Sequence, residues 1–303
     1  MNYFPSGNEE ITLLKFIAKF QYLNTNDTKY FFKSKAYYKK RITHLAEIKY
    51  LKRVKYDLVL DEVGISYVKQ NNFQYNTRNR NKKYLPRLQY ISHLAAMFYN
   101  SKTIKYTPSF SIKDKEIFTT TARKYIGILE ISGIEYLTYH ITSKHDNKYI
   151  LSVIYDIQKE HKYRNTIVLV NNLNRININD FTFGNNQVLL IEDSDINREK
   201  LEYLHRIDWQ KIINNYYNNK VFLAGYNFCD YTDYKTKFIL TFSFLDTEKI
   251  NRVKYFLREN KNKTIDIFCP REIEYYIRKE LPNANYTIID LEDYIVKEIN
   301  IYD

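Results

Sequence analysis

Apolar positions in the first seventy residues recur at helical spacing and are interrupted by short alternating runs. Within residues 9–20, Ile11, Leu14, Ile17 and Ala18 fall three and four apart and predict an amphipathic helix, its apolar face widened by Leu13, Phe16 and Phe20. Glu9 and Glu10 stand at its start, where the helix dipole favours acid. A turn follows over 23–28, with Thr25 the expected N-cap of a short helix through Tyr30, Phe31 and Phe32. Ser34 is the expected cap of a third helix, 35–49, with Tyr38, Ile42, Leu45 and Ile48 as its inward stripe. The runs 51–55 and 58–60 flank Tyr56-Asp57 and predict a small hairpin, and Asp61 opens a helix over 62–70.

Helix, helix, helix, two-stranded wing, helix is the order of a winged helix-turn-helix, whose third helix enters a major groove with its N-terminal half at the base edges. Charge sharpens this reading. The chain of 303 residues has 47 Lys and Arg against 35 Asp and Glu, net +12. Residues 1–110 hold 20 of those bases and 7 of the acids, net +13, so residues 111–303 sum to −1. So one-sided an excess fits a polyanion partner, although a lysine-rich solvated surface has the same composition. Opposite the apolar stripe of the third helix fall Lys35, Tyr37, Lys39, Lys40, Arg41 and His44, the candidate groove contacts; Lys52, Arg53 and Lys55 on the wing are candidate phosphate contacts. The 31 tyrosines carry less weight, because Tyr, Asn, Ile and Lys share AT-rich codons.

The run Thr25-Asn26-Asp27-Thr28-Lys29-Tyr30-Phe31-Phe32, then Ser34 and the basic helix, then Tyr50-Leu51-Lys52-Arg53-Val54 and Leu58-Val59-Leu60-Asp61-Glu62-Val63-Gly64, resembles the winged-helix replication-relaxation family of bacterial plasmids, conjugative elements and phages. The resemblance covers residues 8–70 and continues more weakly into 85–99, through Leu88, His93 and Leu94. It implies DNA binding in replication, maintenance or mobilisation of such an element; transcriptional control is a further expected role, and two cysteines with no signal or span favour the bacterial cytoplasm. Replication or conjugation proteins are implied partners. Two departures stand out: Lys49-Tyr50 occupies the place where a Gly usually ends the recognition helix, and the wing is short.

Beyond this domain (1–75), residues 76–110 read as a basic, Asn-rich linker and a connecting helix. Arg78 and Arg80 in the linker are candidate contacts to phosphates or an AT-rich minor groove. The helix, 85–99, carries Leu88, Ile91, Leu94, Ala95 and Phe98 on one side; the lone His93 reads as structural. Residues 111–303 show strand-like runs at 125–131, 134–141, 166–170, 188–191, 221–224, 238–244, 264–268 and 286–289. Helical segments at 198–203, 209–216, 246–260 and 272–281 separate the later ones, and Pro270 suits the first turn of the last. The expected fold class is therefore α/β (α+β overall), a winged helix followed by an α/β domain with a partly parallel sheet. That domain is expected to serve dimerisation, a homodimer suiting two-fold operators, or partner binding.

The stretches Gly127-Ile128-Leu129 and Tyr136-Leu137-Thr138-Tyr139 resemble the C-terminal region of the same family, which implies a relation to a degenerate restriction-endonuclease-like fold. A nuclease would need a carboxylate and an acid-x-Lys on the next strand to hold a metal. Asp230 with Asp233-Tyr234-Lys235 is the best candidate, and Glu192, Asp193 and Asp195 form a second acidic group; Asp193 and Asp195 read more simply as caps of a helix near Ile196. No His-x-His pair and no phosphate-loop glycine pattern occurs, and Cys229 and Cys269 read as buried small residues. No cofactor is expected. No apolar run is long enough for a membrane span, and the first residues do not resemble a cleavable signal. The rival readings are a nuclease or nicking enzyme acting through the C-terminal domain, a ligand-responsive regulator, and an adaptor that binds a host protein.

Overall fold

The computed structural model describes residues 5, 7–34, 37–77, 81, 84–112, 124–159, 163–182 and 187–294. Lys35, Arg78 and Arg80 lie outside the described residues. The chain divides into two compact units, Met1–Ile112 and Lys113–Asp303. Both mix helices and strands, and the larger sheets combine parallel with antiparallel pairing. Among the described residues no helix is long and apolar enough to cross a membrane.

In the first unit, helix α1 (Asn8–Phe20) buries Leu13, Leu14, Phe16, Ile17, Ala18 and Phe20 and stops at Gln21, which takes a left-handed φ of 72°. Strand β1 (Leu23–Asn24) leads into a 3-10 helix, Thr25–Phe31. Its cap is Asn24, whose side chain accepts from the Asn26 amide at 2.9 Å, not Thr25 as expected. The Thr25 hydroxyl is already committed, donating to the Tyr56 carbonyl across the hairpin at 2.9 Å.

Helix α2 (Tyr38–Glu47) has Tyr37, not Ser34, at its N-cap, and no side chain caps it. Ile42 and Leu45 are buried, while Tyr38 and Ile48 are half-buried. The helix ends two residues before the expected limit because Lys49 turns left-handed, φ 60°. Its amide bonds the Ala46 carbonyl at 3.1 Å, and the Tyr50 amide reaches back to Leu45 at 2.9 Å. That pair of bonds is a Schellman termination, which favours Gly because no Cβ opposes the positive φ. Lys49 adopts it without that advantage.

Strands β2 (Leu51–Val54) and β3 (Asp57–Leu60) form the expected hairpin, in register Leu51↔Leu60 and Val54↔Asp57, around a Lys55-Tyr56 turn with φ 59° at Lys55. β1 adds to β3 antiparallel, giving the order β1-β3-β2. Helix α3 (Glu62–Gln70) begins tight against the end of α2. A Cβ on Gly64 would lie 2.1 Å from the Tyr50 carbonyl oxygen, so only glycine allows this approach.

Asn76 still belongs to this unit, its amide bonding the Ala18 carbonyl at 2.9 Å. Helix α4 (Leu85–Met97) packs on β1 and the 3-10 helix through polar groups as well as through Ile91 and Leu94. Ser92 donates to the Tyr22 carbonyl, Gln89 donates to Asp57, and His93 Nδ1 lies 2.9 Å from Asp27. His93 is thus engaged within the fold. Strand β4 (Ile104–Pro108) and helix α5 (Ser109–Ile112) complete the unit.

The second unit starts with β5 (Gly127–Ile131) and β6 (Ile134–Ile141), an antiparallel hairpin whose Ser132-Gly133 turn has both φ values positive, matching the twist of its strands. Helix α6 (Asn147–Lys159) crosses to β7 (Asn165–Val170), parallel to β6, and β8 (Gln187–Glu192) is parallel to β7. Helix α6 is poorly marked in the sequence. Ile150, Val153, Ile154 and Ile157 do recur at helical spacing, but β-branched residues fill the stripe and mask it. Next come α7 (Asp195–Lys200), α8 (Trp209–Tyr217), β9 (Phe222–Leu223), β10 (Tyr231–Thr232) and β11 (Phe238–Thr241). β12 (Leu245–Asp246), α9 (Thr247–Glu259), β13 (Ile265–Cys269), α10 (Arg271–Glu280) and β14 (Asn285–Ile288) follow.

One sheet runs β12-β8-β7-β6-β5 and the other β14-β13-β11-β10-β9; β14, β13 and β11 are parallel, so each is partly parallel. Burial on both faces explains the apolar runs: Ile167, Val168, Leu169, Leu190 and Ile191 are all buried. Several local expectations change: the run 238–244 is a strand only to Thr241, and the helix expected over 198–203 starts at Asp195 and turns 3-10 at Leu201. Strand 221–224 shortens to two residues, Pro270 stands at the N-cap of α10 instead of within its first turn, and Ser194 caps α7 in place of Asp193 or Asp195.

Candidate nucleic-acid interface

The basic surface is organised by α2 and the β2–β3 hairpin. With Ile42 and Leu45 turned inward, the exposed arc of α2 centres on Thr43 and Glu47, with Lys39 and Lys40 on either side. Tyr37, 56 % exposed, stands at the head of the helix, and the Lys40 ammonium lies 5.8 Å from the centre of its ring. On the hairpin Lys52, Arg53 and Lys55 are exposed. Side chains alternate along a strand, so Lys52 and Arg53 project to opposite faces, and one flat surface cannot meet both equally. None of Lys39, Lys40, Lys52, Arg53 and Lys55 forms an ion pair among the described residues.

Two of the expected contacts are held differently. Arg41 lies toward the buried side of α2, and its Nε is 3.0 Å from Glu10 Oε1 on α1. Glu10 is 1 % exposed, so Arg41 supplies the charge that makes this carboxylate tolerable in the interior. His44 Nδ1 lies 3.9 Å from Glu47, a loose pair on the exposed end of the helix.

One residue with a place on this surface was passed over in the sequence. Tyr56, at the hairpin tip beside Lys55, is 80 % exposed. Its position in a two-residue turn was a usable signal, but with 31 tyrosines in the chain no single one stood out.

The acidic groups of the second unit serve the fold. Asp233 Oδ1 accepts from the amides of Lys235, Thr236 and Lys237, each at 2.8 Å. Burial works against its charge, but the three amides outweigh it and hold the carboxyl at about 2. Asp230 faces the Lys249 ammonium at 2.9 Å. Asp193 is shared between His140, at 3.0 Å, and Arg198, which also binds Asp195. Among the described residues no group of three or more His, Cys, Asp or Glu side chains could hold a metal ion. Cys229 and Cys269 are buried, and burial pushes their thiols up to about 11 and about 12, so neither is poised as a thiolate.

Comparison with protein-family models, with curated proteins and with solved structures finds no match to this chain.

Proposed function

We propose that the first unit is a winged helix-turn-helix that binds double-stranded DNA, with α2 as its recognition helix and the β2–β3 hairpin as its wing. The observation that carries this reading is the arrangement of α2. Ile42 and Leu45 seat the helix, and the opposite arc offers Lys39 and Lys40, neither of them paired with an acid among the described residues. The pairing of β1 with β3 at Asp57 and Leu58 supports it, because it ties the tip-proximal end of the hairpin to the segment between α1 and the 3-10 helix. Lys39, Lys40, Lys52 and Lys55 are the proposed phosphate contacts, with Tyr37 and Thr43 toward the base edges.

The resemblance to the replication-relaxation family makes a plasmid or phage protein the proposed setting, acting in replication, maintenance or transcriptional control as a homodimer on two-fold sites. Selection of genomic fragments by the full chain at about 150 mM salt tests this, since weak nonspecific contacts fade at that ionic strength. Enrichment of repeats near an origin or a promoter is the expected result. Binding that vanishes with salt and enriches no sequence would refute sequence-specific recognition.

A further inference from the structure

The second unit has an open cavity of about 700 Å³, within the range that small-molecule sites occupy. Its wall is aromatic: Trp209, Tyr226, Phe228 and Phe242 line it, and Phe228 is stacked at 3.8 Å on Phe256 behind. Several of its charged and polar groups already bond one another. The Lys249 ammonium meets both Asp230 oxygens, at 3.1 and 2.9 Å, and the Thr241 carbonyl at 2.8 Å, which uses its three protons. The Tyr136 hydroxyl and His205 Nε2 satisfy one another at 2.9 Å.

Glu248, in the first turn of α9, keeps a buried acceptor unfilled. Its Oε1 takes the Nε–H of Arg252 at 3.1 Å, but Oε2 is buried without a hydrogen-bond partner. The residue is 7 % exposed, and burial raises its pKa. An acceptor left unfilled in a buried place is a standing cost that an N–H donor would relieve. The charge balance agrees: Asp230, Asp246 and Glu248 outnumber Lys249 and Arg252, and Lys249 has no proton to spare for an anion. Arg252, whose side chain is 40 % exposed, leaves a place for an anionic tail outside.

We propose that this cavity binds a nucleobase, with the flat ring against the aromatic wall and a ring or exocyclic N–H donated to Glu248. The inference is independent of DNA binding by the first unit. The base could belong to a free nucleoside or nucleotide or to an unstacked position of a single strand, and the test separates these sources.

Trp209 is the chain's only tryptophan and lines the cavity, so its emission reports occupancy there and not at the basic first unit. The full-length protein, excited to the red of nucleobase absorption, is titrated with adenosine, AMP, guanosine, GMP and a short single-stranded oligonucleotide, with ribose 5-phosphate as control. A saturable change with at least one base-bearing probe, and none with the control, is expected. Equal response to nucleoside and nucleotide means the base alone is recognised; a stronger nucleotide response places a phosphate near Arg252; response to the oligonucleotide alone identifies an unstacked base. Glu248→Ala should weaken binding about tenfold or more with an unchanged circular dichroism spectrum, and Phe228→Leu should weaken it by removing the stack. Failure of every base-bearing probe up to millimolar concentration, an equal response to ribose 5-phosphate, or unchanged binding by both variants would overturn the proposal.

Discussion

The two units differ in the charge they leave unmatched. In the first, Glu10 is met by Arg41, Asp27 by His93 and Asp57 by Gln89, each pair joining elements distant in sequence. Lys39 and Lys40 stand on the surface with no acid pairing them among the described residues. In the second unit the net charge is near zero and Asp193, Asp230 and Glu280 are paired with bases, but among the described residues Glu248 keeps one buried oxygen unfilled beside a cavity. A surplus of exposed charge suits a large polyanion approached from solvent, whereas one unmatched buried acceptor suits a small partner that must be enclosed. The total of +12 hides this division.

The contrast breaks most severely at Gly64. Gly64→Ala would drive a methyl group into the Tyr50 carbonyl, and neither backbone can yield without shifting the hairpin. A loss of about 3 kcal/mol is expected in urea unfolding followed by circular dichroism, with Trp209 emission unchanged at low urea. An unaltered melting profile would show that the close approach is not kept in solution. Arg41→Ala should cost about 2 kcal/mol, less than for a wholly buried pair because the Arg41 side chain is 37 % exposed. Adding Glu10→Gln should recover much of that loss. If Arg41→Ala instead leaves stability intact and abolishes DNA binding, Arg41 belongs with the surface cations.

Smaller effects refine the interface itself. Tyr37→Ala should alter preference among duplex sequences by about 1 kcal/mol, read from competition between selected and scrambled DNA. An equal loss on both would remove Tyr37 from base readout. Lys39→Ala should stay within about 0.5 kcal/mol in stability and lower the salt dependence of duplex binding by about one unit.

The smallest effect lies in the second unit. Asp233 titrates at about 2 in the fold against an ordinary 3.8, so its contribution to the 233–237 loop is fully present above about pH 4 and lost as the pH falls toward 2. Amide hydrogen exchange at Lys235, Thr236 and Lys237 should accelerate in Asp233→Ala relative to wild type at neutral pH. Unchanged exchange would mean the loop holds without the carboxylate.

Much of the first unit was legible because its information is local. The stripes that seat α1 and α2 repeat every three or four residues, and the hairpin is bounded by a two-residue turn. Caps were less legible. Thr25, Ser34 and Asp195 all have the right side chain for an N-cap, yet the fold uses Asn24, Tyr37 and Ser194, because a hydroxyl or carboxylate can be claimed first by a neighbour. Thr25 is claimed by Tyr56 and Asp195 by Arg198. The expected basic face of α2 was likewise legible in Lys39 and Lys40 but not in Arg41, whose direction is set by a carboxylate 31 residues upstream.

By itself the sequence determined where most helices and strands lie, the concentration of positive charge in the first 110 residues, and the mixed α and β character, since each depends on composition or on periods of a few residues. The tertiary structure alone decided which strands are neighbours, that β6, β7 and β8 run parallel, which cations are neutralised, and that Tyr136, Trp209, Phe228 and Glu248 share one cavity. These are contacts between residues tens of positions apart. Burial and chain crossing choose among many pairings that local spacing leaves equally open.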